Sequence, residues 1–376
     1  MNIQQYIEQA KQHRASDLHL VCDLPPKFRV DGAIQDLEPI PLTAQQCYDL
    51  AHELAGEHFH DLERVGELDL ALTISDVRCR LNIFRQQGKY SMAIRLLNDH
   101  IPELEELGLP KVVQEFCGYN QGLVLITGET GSGKSTTLAA ILNRINHTKR
   151  LHILTLEDPV EYVYTPDLCL INQREIGKDT MNFAAGLRAA LREDPDVILV
   201  GEMRDLDTIQ TALTAAETGH LVFGTVHTNS AADSIDRIVD VFPAERQQQI
   251  RLQLSMTLKA VLSQQLLPKA REEGRVLACE VMKTDDAIRN LIREGKTPQI
   301  QNAIQTSGAV GNILMDRALQ NLYRGGVISQ ETMDGALRGS GVAGMSPSSG
   351  GMSMGMNRYR SFVHDERGVS CADLSL

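Results

Sequence analysis

Four residues at fixed spacing point to phosphate chemistry: Gly128, Gly133, Lys134 and Ser135, in the run G-E-T-G-S-G-K-S over 128–135. A loop that wraps an anionic polyphosphate needs backbone that can approach closely and bend, which glycine provides. Its N–H groups and a following helix N-terminus supply positive potential. In this G-x-x-x-x-G-K-[ST] pattern Lys134 would reach the β/γ-phosphates, and the Ser135 hydroxyl would ligate Mg2+. Thr130, Gly131 and Ser132 inside the loop, and Thr136 after it, would complete the cradle. The plainer alternative is a glycine-rich turn. Against it, residues 123–126 are an apolar run of strand length, and 136–145 carry apolar residues at helical spacing.

Hydrolysis needs an acidic group near the metal and something to position water. Leu154-Thr155-Leu156-Glu157-Asp158-Pro159-Val160-Glu161-Tyr162 places three carboxylates just beyond an apolar run. Open parallel sheets bind ligands at such strand ends, although a solvated acidic turn would look the same. A second run, 197–200, is followed by Gly201 and Glu202. A carboxylate ending a buried strand beside the loop strand is the Walker B arrangement, which holds Mg2+ directly or through water; otherwise it is an acidic loop cap. His220 and His227 bracket a third run at i and i+7, so they stand at opposite ends of one strand and cannot share a metal unaided. His227, at the ligand edge, reads either as a γ-phosphate sensor or as a hydrogen-bonded surface residue. Arg78, Arg80, Arg85 and Arg95 lie in or beside a predicted hairpin. Arg80 and Arg95 belong either to a solvated sheet face or to a pair of guanidinium forks for phosphate.

These residues need a scaffold. Residues 1–97 read as a small α/β domain: a helix over 3–11, strands at 17–21 and 28–34 around the Pro25-Pro26 break, a helical pattern over 43–62, and half-buried strands over 68–74 and 78–97. Residues 98–120 read as a linker leading into a short helix. From 121 to 275, strand runs at 122–127, 151–156, 197–201 and 221–226 alternate with helical segments, which predicts a parallel sheet covered on both faces. Residues 276–338 are expected to return to helix, with turns at Gly308, Gly311 and Gly325-Gly326. Residues 339–376 begin with a Gly/Ser/Met-rich stretch, including Met345, Met352, Met354 and Met356, and are expected to be disordered.

A chain of 376 residues favours two domains. Its net charge of −12 suits non-specific wrapping of nucleic acid poorly. Seven scattered cysteines include no C-x-x-C pair and no zinc spacing, so free thiols in a reducing cytoplasm are expected. No apolar stretch approaches membrane-span length, and residues 1–13 lack a signal-peptide core, so a membrane role is expected only through a partner.

With all four boxes in view, the chain resembles the secretion-ATPase superfamily over about residues 1–335, and within it the PilT family of type IV pilus retraction (twitching-motility) ATPases. The N-terminal signature is Ala15-Ser16-Asp17-Leu18-His19-Leu20, then Pro25-Pro26 and Arg29-Val30-Asp31-Gly32. The boxes are the Walker A loop at 128–135, an "Asp box" at 155–162, Walker B at 192–205 and a "His box" at 217–228. Ala287-Ile288-Arg289-Asn290-Leu291 matches the marker of retraction motors. The resemblance implies a PAS-like N-terminal domain on a RecA-like P-loop NTPase core, in a cytoplasmic homohexameric ring at the inner membrane, with ATP between the two domains. It makes Glu161 the general base and Glu202 the Mg2+-linked carboxylate. It places His227, and less directly His220, near the γ-phosphate, and directs Arg80 and Arg95 to phosphate. It implies an inner-membrane pilus platform protein, and a paralogous retraction ATPase, as partners.

Two stretches depart from the pattern: Ser307-Gly308-Ala309-Val310-Gly311-Asn312 and the segment from 340. Competing readings are an extension or secretion motor, an accessory retraction paralogue, a non-hydrolysing regulatory subunit and a DNA translocase. Extension and secretion motors carry a four-cysteine zinc site and a long extra N-terminal domain, neither of which is found here. A regulatory subunit would be expected to lack an acidic box or the loop lysine. A translocase would be expected to show a basic, aromatic-interleaved stripe.

Overall fold

Alternation builds the first sheet. In Val77–Gln86, Val77, Cys79, Leu81 and Ile83 are buried while Arg78, Arg80 and Asn82 face the other way. Burying each large apolar side chain contributes about 1.5–3 kcal/mol, so the pattern fixes the register. In chain order this part holds α1 (Ile3–Gln12), β1 (Asp17–Val21), β2 (Lys27–Val30), β3 (Ala33–Asp36), α2 (Ala44–Ala55), α3 (Phe59–Val65), β4 (Glu67–Ile74), β5 (Val77–Gln86) and β6 (Lys89–Leu96). The strands form one antiparallel sheet in the order β3-β2-β1-β6-β5-β4, and α1 and α2 cover its apolar face. The computed structural model describes residues 2–339 apart from 31–32, 98–99 and 273. The stretch expected to be disordered lies, from residue 340, outside the described residues.

The second sheet carries the candidate loop. Its strands are β7 (Gly122–Thr127), β8 (His152–Glu157), β9 (Leu170–Glu175), β10 (Val197–Val200), β11 (Leu221–Val226), β12 (Leu258–Pro268) and β13 (Arg275–Lys283), in the order β13-β12-β7-β11-β10-β8-β9. All neighbours are parallel except β13, which runs antiparallel to β12. Every residue of β7 is buried, because helices cover both faces. Leu123 and Leu125 face α5 (Phe183–Ala190), α6 (Leu206–Glu217), α7 (Ala231–Asp240) and α8 (Ala244–Thr257), whereas Val124 and Ile126 face α4 (Lys134–Thr148). A smaller N-terminal α/β domain beside a RecA-like core is the fold class the sequence implied. Four short helices follow: α9 (Asp286–Arg293), α10 (Ile300–Thr306), α11 (Met315–Arg324) and α12 (Gln330–Gly339). Among the described residues, no helix is long and apolar enough to cross a membrane.

The four predicted strands are present, but the expectation of helix from residue 276 is corrected. Arg275–Lys283 is a strand, and the boundary at 275/276 cuts into it. Two more strands, β9 and β12, were not anticipated. In β9 the run L-I-N-Q-R-E is largely polar, and in β12 buried Ser263 and Gln264 interrupt the apolar pattern. The second half of the predicted linker also packs on the core. Val112, Val113 and Phe116, in a 3-10 helix over Lys111–Gly118, join the cluster under α4.

Candidate nucleotide-binding and hydrolytic site

The loop leaves the carboxyl end of β7 and turns into α4 at Lys134. Gly128 is required where the loop begins: its φ is +143°, and a Cβ there would lie 2.4 Å from the Gln264 carbonyl oxygen and 2.5 Å from Ser132 Oγ. Lys134 is 9% exposed, and its Nζ donates to the Gly128 and Glu129 carbonyls at 2.8 Å each. Burial pushes this ammonium below its ordinary range, while Glu202, Glu161 and Glu129 pull it back up. Three carboxylates are therefore within electrostatic reach of the loop lysine.

Two of them share a cavity with the loop helix. About 80 Å3 of space is lined by Ser135, Glu157, Asp158, Glu161 and Glu202, among others. Gly201 brings Glu202 there. A Cβ on it would lie 2.9 Å from the Leu156 carbonyl oxygen, so the ends of β10 and β8 approach closely. Within the acidic box the carboxylates differ. Glu157 accepts from Thr155 Oγ1 at 2.7 Å and Gln173 Nε2 at 3.3 Å, and burial pushes its pKa up. Glu161 is half-buried beside the open space. A serine hydroxyl and carboxylates are hard oxygen donors, and Mg2+ is usually held by one or two carboxylates with substrate phosphates and water. Ser135 and Glu202 fit that donor set.

Glu202 is also held from outside. Arg204 Nε donates to its Oε1, and His227 Nε2 lies 3.0 Å from the same oxygen. Burial, and next the Lys134 ammonium, push the His227 ring below the ordinary histidine range, against the pull of Glu202. A carboxylate can only accept, so Nε2 is the donor in this contact. His227 and Thr130 face an open groove of about 540 Å3 that also takes in Arg204 and Arg237. His220 does not join them. It stands before β11, at the opposite end of the strand from His227, and its Nδ1 lies 3.0 Å from the Ala215 carbonyl near the end of α6. Within one chain the expected nucleotide contact of His220 is corrected to a helix-end contact.

The arginines come from the other domain. Arg80 and Arg95 are directly opposed in the β5–β6 register. Both are exposed. Arg95 is tied to Asp17 at 3.0 Å, and Arg80 lines a cleft of about 750 Å3 between the domains, with Asp158 and Pro159 on the far wall. That volume is of the size that takes small-molecule ligands. The acidic box is thus the partition between this cleft and the Ser135 cavity.

Sequence reasoning missed the supports. Tyr162 and Thr136 share a 2.9 Å hydroxyl–hydroxyl bond that ties the acidic box to α4. Gln264 Nε2 donates to Thr137 Oγ1 at 2.8 Å, and Thr127 Oγ1 donates to Ser263 Oγ at 2.9 Å, so β12 braces the loop from below. Strand β12 itself went unpredicted. Its three consecutive polar residues, Ser263, Gln264 and Gln265, inside an apolar stretch were the available signal.

Residues 1–334 match the family described as "Type II/IV secretion system protein". The "Type IV pilus retractation ATPase PilT" of Pseudomonas aeruginosa is 48% identical over 333 residues, covering 88% of this chain and 96% of that protein. A "Twitching motility protein" of Neisseria gonorrhoeae is 46% identical over 308 residues, covering 81% and 82%. A solved structure described as the pilus retraction motor PilT with bound ADP aligns with a TM-score of 0.84 at 47% identity, over 89% of this chain and 97% of that one. The chain belongs to the type II/IV secretion system protein family and, within it, to the PilT group.

Proposed function

We propose that the chain is an ATP-hydrolysing motor that drives retraction of type IV pili. It works as a homohexameric ring on the cytoplasmic face of the inner membrane, against the pilus platform protein and alongside a paralogous retraction ATPase. The observation that carries this reading is the meeting of Ser135, Glu161 and Glu202 in one cavity beside the P-loop. The phosphates lie on the loop and the α4 N-terminus, where backbone N–H groups and Lys134 meet their charge. The Ser135 hydroxyl and the Glu202 carboxylate would hold Mg2+, which would supply positive charge against the phosphates when bound. Glu161 orients the attacking water and accepts its proton. His227 steadies Glu202 through its donated bond and lies at the γ-phosphate end. Arg80 and Arg95 bring permanent charge to the phosphates when the N-terminal domain closes on the core.

A RecA-like core completes its site in a ring, because head-to-tail interfaces can close on themselves. Native mass of the purified chain, measured with ATP turnover, is expected to give a hexamer when nucleotide is present. A fully active monomer would contradict the ring.

Helix α9 carries the motor output in this reading. Ile288 and Ile292 are fully buried and Leu291 packs against the core, which anchors the helix. Arg293 is exposed and donates to Asn290 on the same helix at 3.0 Å; half-buried Arg289 donates to Asp286 at 3.2 Å. Local i,i+3 side-chain pairs are worth about 0.2–0.5 kcal/mol each, so losing them should not unfold the chain. Replacing Arg289 and Arg293 together by alanine is expected to spare ring assembly and most ATP turnover, yet stop retraction. Twitching of cells carrying the double variant, beside turnover on purified rings, decides it. Normal twitching removes the coupling role, and lost assembly assigns the helix to packing.

A further inference from the structure

Arg78 is an arginine of β5 that the site above leaves unused. The alternation that buries Val77 and Cys79 turns Arg78 to the same face as Arg80, toward the core domain. Unlike Arg80, it is engaged. Its Nη2 donates to Glu175 Oε2 at 2.8 Å, and its Nε donates to the Val160 carbonyl at 3.3 Å. Glu175 ends β9, and the two side chains are only 15% and 11% exposed, so this ion pair is sheltered where the domains meet. The same Glu175 oxygen accepts the Val160 N–H at 3.3 Å. Val160 is therefore gripped at its N–H by one domain and at its C=O by the other, and the grips are joined by a charge pair. The next residue is Glu161, whose own backbone amide serves the Glu157 carboxylate. A guanidinium presents several donors in a rigid planar fork, which suits it to hold a carboxylate and a carbonyl at once in fixed geometry.

We propose that Arg78 and Glu175 are positioning residues for hydrolysis: their inter-domain ion pair fixes the Val160 peptide and so aims Glu161 into the cavity it shares with Ser135 and Glu202. The base is aimed only while the N-terminal domain is seated on the core, so seating and catalytic competence are one event. The inference rests on reading the chain as an ATPase with Glu161 as its base.

The test uses the full chain and measures ATP turnover and KM for the unaltered protein, Arg78→Lys, Glu175→Gln, Glu161→Gln and the two doubles with Glu161→Gln. Misaiming a base by an ångström costs up to about 100-fold, so each positioning variant is expected to lower kcat by about 10-fold or more, with KM for ATP within about two-fold. In the Glu161→Gln background the same changes are expected to cost nothing further, because the group they aim is already gone. A merely structural contact would instead give losses that multiply. Undiminished kcat in Arg78→Lys and Glu175→Gln, or multiplying losses, overturns the proposal. If the unaltered chain shows no turnover, the ATPase reading has failed, and the clamp is judged separately by amide exchange at Val160. In the unaltered chain that amide is expected to exchange at least about 100-fold more slowly than in a free peptide. Exchange at the free-peptide rate overturns the clamp, and this measurement needs no variant to fold.

Discussion

Replacing Lys134 by alanine is expected to weaken ATP binding by about 30- to 150-fold. A hydrogen-bonded contact to a charged group contributes about 2–3 kcal/mol, and each 1.4 kcal/mol is ten-fold in affinity. The surroundings push the loss toward the upper figure. Lys134 is the cation on which Glu202, Glu161 and Glu129 act electrostatically. Without it the polyphosphate would meet three carboxylates with less to balance them. The variant also strips the Gly128 and Glu129 carbonyls of their donor, so the loop loses its internal tie. Titration of the purified variant with nucleotide measures the effect. Affinity equal to that of the unaltered chain would take the loop out of the site altogether.

Glu161→Gln is expected to leave nucleotide bound while slowing turnover by roughly 100-fold, the usual cost of losing a general base. Glutamine keeps the size and one acceptor oxygen but cannot take a proton from water. Glu202→Gln should behave differently. Glu202 already accepts from Arg204 and His227, so its amide would disturb Ser135, His227 and the metal-dependent steps together. Single-turnover hydrolysis beside nucleotide affinity separates the two variants. Should Glu161→Gln hydrolyse ATP at the parental rate, the base is another carboxylate of the same cavity, with Glu157 and Asp158 lining it.

The parts legible in the sequence were those that chemistry confines to a few consecutive residues. The P-loop, Glu202 after its apolar strand and the acidic run 157–161 each combine a strand-length pattern with a polar group at its end, and the parallel sheet gathers those ends on one edge. The boundary at residue 276 failed for the opposite reason. Strand β13 carries Glu280 in its middle, and the apolar period alone does not tell such a strand from a helix. Glu280 is tolerated because its carboxylate accepts the first N–H groups of α7 and α11, from Ala231 and Met315, contacts 49 and 35 residues away. The same limit hid Arg78 and Glu175, which are 97 residues apart and meet only when two domains pack. His220, at the far end of β11 from His227, contacts the end of α6, so within one chain the resemblance alone, and not strand geometry, had brought it toward the nucleotide.

Strand β13 also has a mechanical meaning. Helix α9 follows it directly, and β13 pairs with β12 through nine consecutive residue pairs, from Ala260–Lys283 to Pro268–Arg275. Strand β12 in turn lies beside β7, which leads into the phosphate loop. A pull on α9 along the strand axis would act across ladder bonds that stand perpendicular to that axis. Such a load is borne in shear by the whole ladder at once, whereas a pull across the sheet would peel the pairs apart one by one. The C-terminal helices are thus spliced to the nucleotide loop by a stiff tie bar, with little slack to absorb the stroke.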